Sequence, residues 1–80
     1  MKIYDQAGKR LLTEVTLFLS PAEMRNLGDS ARRLAEDPHR HHDHVSDAAL
    51  RQEITLAVYT RQNLDQFDEE SRGVIGEIVD

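Results

Sequence analysis

The fold turns on one stretch, Arg10-Leu11-Leu12-Thr13-Glu14-Val15-Thr16-Leu17-Phe18-Leu19-Ser20-Pro21-Ala22-Glu23-Met24. Up to Leu19 it alternates: Val15, Leu17 and Leu19 point one way, and Glu14, Thr16 and Phe18 the other. That period of two is the mark of a strand covered on one face. At Ser20 the period changes. Ser20 can cap a helix, Pro21 suits the first helical position, and Glu23 completes an S-x-x-E capping box. Met24, Leu27, Ala31, Leu34 and Ala35 then recur at helical spacing, opposite Arg25, Asp29, Arg32, Arg33 and Glu36. Asp37-Pro38 ends the helix, because a proline disfavours helical backbone in the residue before it.

Toward the N-terminus, residues 2–5 read as a short strand. Gln6-Ala7-Gly8-Lys9 reads as the turn, with Gly8 expected to supply a positive φ. The first two strands are thus expected as a hairpin spanning 2–5 and 10–19. Toward the C-terminus, residues 42–46 read as a strand whose apolar residue is Val45. Residues 54–59 read as another, with Ile54, Leu56 and Val58 alternating against Thr55, Ala57 and Tyr59, and residues 47–51 connect the two. In the tail, Leu64, Phe67, Val74, Ile75 and Ile78 fall near one helical stripe. Asp68-Glu69-Glu70 suits a helix N-terminus. Gly73 and Gly76 each cost about 1 kcal/mol inside a helix, which predicts one that is short, broken or dependent on packing.

The expected fold is therefore a single α+β domain over residues 1–80. Its order is ββαββα, with a four-stranded, mainly antiparallel sheet and both helices on one face. The opposite, open face would show Thr16, Phe18, Thr55, Ala57 and Tyr59. If Val45 points into the core, His42 and His44 join that face, since i and i+2 share one side of a strand.

Composition narrows the function. The 80 residues carry 10 Lys and Arg against 15 Asp and Glu, a formal charge of −5 with the four histidines neutral, and there is no Cys. Disulfides, cysteine-ligated zinc and thiol catalysis are excluded. The acidic balance argues against a nucleic-acid partner. No apolar run reaches membrane-spanning length, and the first residues lack an apolar signal core, so the expectation is a cytoplasmic protein with no membrane partner. A chain this short buries only about 60% of its unfolded surface, which favours a homodimer. Phe18, Tyr59, Thr16 and Thr55 are the candidate interface residues, because interfaces are enriched in aromatics.

The four histidines all lie within His39-Arg40-His41-His42-Asp43-His44. Neutral imidazoles ligate zinc, copper and nickel. His39, His41, His42 and His44 are therefore candidate ligands for Zn or Ni, chelating as the i,i+2 pairs 39/41 and 42/44. The stretch also spells the HxHxDH motif that metallo-β-lactamase-like hydrolases carry. That resemblance is not carried over: those chains are much longer, the motif there follows an apolar strand, and further His and Asp ligands lie downstream, whereas this chain has no other His. Protonating all four imidazoles, which ordinarily titrate near about pH 6.5, would move the formal charge from −5 to −1 and is expected to change the association state between pH 5.5 and 8.

No catalytic constellation is evident. There is no G-x-S-x-G elbow, and Gly8 stands without a phosphate-binding loop. Ser46, Asp47 and His44 should not converge as a triad, because neighbours on a strand alternate faces. Glu53, Glu69 and Glu70 read as solvated charges. The leading expectation is a non-catalytic protein-interaction module that self-associates through its open sheet face. The alternatives are a transition-metal-binding protein using the histidine cluster and an acidic inhibitor, of immunity-protein or antitoxin type, for a basic protein partner.

Overall fold

A computed structural model describes residues 1–77. Strand β1 (Ile3–Asp5) pairs antiparallel with β2 (Arg10–Leu12), Ile3 opposite Leu12 and Asp5 opposite Arg10. The Asp5 carboxylate shapes the turn between them. It accepts the Gly8 N–H at 3.0 Å and lies 3.3 Å from Arg10 Nε. A Cβ on Gly8 would sit 2.5 Å from Asp5 Oδ2, so a larger residue there would have to displace the carboxylate. The positive φ of the turn falls on Lys9 (56°), not on Gly8 as the sequence suggests.

The second strand ends at Leu12 rather than Leu19. β1 offers partners only as far as Ile3, so the alternation beyond Leu12 has no ladder to join. Among the described residues no strand pairs with residues 13–19, and Val15, Leu17 and Phe18 are exposed. Alternation specifies a strand only where a neighbouring edge takes up its backbone groups.

Helix α1 (Pro21–Glu36) forms where the capping box places it. Ser20 Oγ accepts the Glu23 N–H at 3.2 Å, and Glu23 Oε1 accepts the Ser20 N–H at 2.8 Å. The Asp37 N–H still reaches the Arg33 carbonyl, and Pro38 ends the helix. Its buried stripe is rotated from the expected one. Ser30 and Leu34 are buried and Leu27 half-buried, whereas Met24, Ala31 and Ala35 face solvent. The cause is polar. Ser30 Oγ donates to Asp43 Oδ2 at 2.9 Å, and Arg33 reaches the same oxygen at 3.1 Å, so α1 docks by its Ser30–Arg33 side.

After a 3-10 turn at Pro38–Arg40, β3 (His42–Ser46) pairs antiparallel with β4 (Glu53–Ala57), Val45 opposite Ile54 and His44 opposite Thr55. Val45 is buried, so His42 and His44 lie on the other side of β3, both exposed. Asp47 Oδ1 closes the β3–β4 turn by accepting the Arg51 and Gln52 N–H groups. A second 3-10 turn, Leu64–Gln66, precedes α2 (Glu69–Ile75). Asp68 caps α2 by accepting the Ser71 N–H at 2.8 Å, and Gly76 (φ 67°) ends it. The expected tail helix is thus short, and Ile78 of its stripe lies outside the described residues.

Among the described residues the protein is α+β with two helices, but its four strands form two separate two-stranded antiparallel sheets rather than one four-stranded sheet. No single sheet face is therefore available for both helices to cover. The first hairpin is held by side chains on α2 instead of a ladder: Tyr4 Oη donates to Glu70 Oε2 at 2.7 Å, and Lys9 Nζ lies 2.9 Å from the same oxygen. Glu70, read from sequence as solvated, is the anchor of that hairpin. The buried set is small: Leu34, Val45, Phe67 and Ile75, with the polar Ser30 and Asn63.

Asn63 stitches the second half together. Its Nδ2 donates to the Pro38 and Val58 carbonyls, both at 2.9 Å, and its Oδ1 accepts the Thr60 N–H at 2.8 Å. Among the described residues no helix is long and apolar enough to cross a membrane.

Candidate functional site

The histidines sit where the first 3-10 turn enters β3. His39 lies within the turn, and its Nδ1 is 3.2 Å from Gln66 Nε2. His41 follows with φ 53° and ψ −33°, its N–H bonded to the Pro38 carbonyl and its own carbonyl accepting the Val58 N–H at 2.9 Å. Positive φ is uncommon for a residue with a Cβ, and here it breaks the alternation that would put His41 and His42 on opposite sides. The two rings meet instead. Their Nδ1 atoms are 2.8 Å apart, their centroids 4.4 Å apart, and their planes 36° apart. The Phe67 and His41 rings pack in a T-shaped contact, with centroids 5.4 Å apart.

His42 and His44 share a side of β3, as their spacing predicts, with centroids 5.1 Å apart. His44 Nδ1 is committed across the strand pair, 3.0 Å from Thr55 Oγ1 and in contact with Glu53 Oε1. Glu53, like Glu70, thus has a partner. The pairing that the structure produces is therefore 41/42, an i,i+1 pair that strand periodicity does not suggest. His39 turns away to Gln66 instead of joining His41. Among the described residues, no group of three or more His, Asp or Glu side chains is placed to hold a metal ion.

On the other side of β3, Asp43 faces α1. Its carboxylate accepts from the Ser30 hydroxyl, the Arg33 guanidinium and the His44 N–H, and these donors hold its pKa below the usual range. The same logic applies to Glu70, lowered by the Tyr4 hydroxyl and Lys9; Tyr4 and Lys9 are correspondingly raised. Ser46, Asp47 and His44 form no relay, since His44 serves Thr55 and Glu53 while Asp47 serves the turn.

The four candidate interface residues fall in two places. Thr16 and Phe18 line a cleft of about 390 Å³ between residues 16–19 and the end of the β3–β4 hairpin. Thr55 and Tyr59 line a second, of about 330 Å³, bounded by the first hairpin and α2. Phe18 is 93% exposed, and Leu11, Val15, Leu17 and Met24 are about half exposed.

Sequence reasoning missed Asn63, Asp43 and Glu70. Asp43 was within reach, since it alternates in phase with the inward Val45. Thr60-x-x-Asn63 carries reciprocal bonds like those of a capping box, with Thr60 Oγ1 accepting the Asn63 N–H at 3.1 Å. Glu70 had no local signal, because its partners lie more than 60 residues away. No family model, curated protein or solved structure matches this chain.

Proposed function

We propose that the chain is a non-catalytic protein-interaction module whose partner is a second copy of itself, docked through residues 11–24. The observation that carries this reading is surface left uncovered. The accessible surface is 6458 Å², whereas a compact monomer of 9.2 kDa should expose about 4,900 Å². The radius of gyration, 13.2 Å, likewise exceeds the roughly 11.6 Å of a compact 80-residue chain. The excess is larger than the roughly 800 Å² per partner that a standard stable interface covers.

The uncovered surface has a self-complementary pattern. In an antiparallel pairing of residues 14–20 with the same residues of a second copy, centred on Leu17, Val15 lies opposite Leu19 and Thr16 opposite Phe18. Glu14 then meets Ser20, which avoids like charges facing one another across the ladder. Pro21 closes the pairing, since it has no N–H to donate. This arrangement would give residues 13–19 the ladder that their alternation demands. It also moves the interface expected on a continuous sheet face to Thr16 and Phe18, with Thr55 and Tyr59 on the second cleft.

Sedimentation equilibrium tests it. At high micromolar concentration the wild-type chain should sediment at twice its monomer mass, and Phe18→Asp or Leu17→Asp at the monomer mass with unchanged helix content. A monomeric wild type at that concentration refutes the proposal.

A further inference from the structure

The two Nδ1 atoms of His41 and His42 meet in a contact that either one shared hydrogen or one cation can occupy. At 2.8 Å, two bare imidazole lone pairs repel, and two N–H groups facing each other do so as well. Only a hydrogen held by one ring and accepted by the other, or a metal ion accepting both lone pairs, satisfies the pair. The rings also meet at an angle rather than head-on, as the 4.4 Å centroid distance and 36° interplanar angle show. His42 is exposed and His41 half-buried, so the pair is open to solvent.

We propose that His41 and His42 form a two-nitrogen chelate for a tetragonal divalent transition metal, Cu²⁺ above all and Ni²⁺ more weakly. The separation of the nitrogens selects the metal. With metal–nitrogen bonds of about 2.0–2.1 Å, nitrogens 2.8 Å apart subtend about 84–89° at the ion. That matches the right angle of square-planar or tetragonal Cu²⁺ and Ni²⁺ sites. Tetrahedral Zn²⁺ needs a wider separation of its ligands. Both rings bind as neutral imidazoles protonated at Nε2, so the shared hydrogen moves to Nε2 of its own ring and no net proton is released.

The surroundings hold the pair in place. Hydrogen bonds through the His41 backbone N–H and carbonyl hold its unusual φ, and the Phe67 ring packs against its imidazole. Nδ1 of His44 is engaged by Thr55 and Glu53, and Nδ1 of His39 by Gln66. Water fills the remaining positions on the ion. The net charge of −5 favours the approach of a cation.

Isothermal titration of the full chain with CuCl₂, NiCl₂ and ZnCl₂, together with electron paramagnetic resonance of the Cu²⁺ form, tests the proposal. The expected result is one Cu²⁺ per chain with two nitrogens in its equatorial plane, and binding in the order Cu²⁺, Ni²⁺, Zn²⁺. Losing one ring should weaken Cu²⁺ binding on the order of 100-fold, the gain that a second tethered ligand ordinarily gives. His42→Ala removes an exposed ring. His41→Asn removes the other while keeping a residue that tolerates positive φ, and far-UV circular dichroism checks that both variants fold. His39→Ala and His44→Ala should bind Cu²⁺ as the wild type does. The proposal is overturned if His42→Ala binds unchanged, if His39→Ala or His44→Ala weakens binding as much, or if Zn²⁺ binds more tightly than Ni²⁺.

Discussion

Replacing Asn63 by Ala strips three hydrogen bonds from a buried polar side chain. The Pro38 and Val58 carbonyls lose their donor, and the Thr60 N–H loses its acceptor. Asn63 is only 4% exposed, so water cannot readily take its place. At about 0.5–1.5 kcal/mol net for each bond, the loss comes to about 2–4 kcal/mol. An 80-residue chain has a total stability of only about 4–12 kcal/mol. Thermal melting followed by far-UV circular dichroism should show a fall in Tm on the order of 10–20 °C. Asn63→Asp sharpens the test. It keeps an acceptor for Thr60 but turns a carboxylate toward two carbonyl oxygens, which disfavours the charged form and raises the carboxyl pKa in the folded state. A raised folded pKa contributes stability below the unfolded pKa and loses it as pH rises, so this variant should recover on acidification while Asn63→Ala does not. A loss below about 0.5 kcal/mol in Asn63→Ala, the size of an ordinary surface substitution, would refute the reasoning.

Ser20→Ala removes one half of the capping box at the start of α1 and should cost about 1 kcal/mol, read as a lower urea midpoint with an unchanged slope. Asp43 is held as a carboxylate by Ser30, Arg33 and the His44 N–H, so its folded pKa lies below the unfolded one. Its contribution is present above the ordinary carboxylate range and is lost as pH falls below about 4. Asp43→Asn should flatten that acid limb of a stability-against-pH curve, and an unchanged limb would show that the Ser30–Asp43–Arg33 tie does not link α1 to β3.

Where an instruction is local, the sequence reads clearly. Ser20, Pro21 and Glu23 start α1, and Asp37-Pro38 stops it, because the groups that satisfy a helix terminus lie within one turn of it. His42–Ser46 is a strand over the span expected of it, and the phase of Val45 puts His42 and His44 on the outer side. Asp68 and Gly76 bound the short tail helix for the same reason.

What depends on distant partners is not written in any window. Residues 13–19 have the pattern of a strand but, among the described residues, no edge to pair with, so their alternation produced neither a ladder nor a covered face. The buried stripe of α1 rotated toward Ser30 because Asp43, 13 residues on, draws that side to β3. The histidine cluster was visible in the composition, but which imidazoles meet was set by one backbone angle at His41, itself held by bonds to Pro38 and Val58. The sequence by itself determined the boundaries of α1, the pairing of the second hairpin, the acidic charge and the presence of clustered imidazoles, all through contacts within a few residues. Only the tertiary structure decided that the strands divide into two sheets, that Phe18 stands in solvent, and that His41 faces His42, because each rests on hydrogen bonds made or left unmade between segments far apart in the chain.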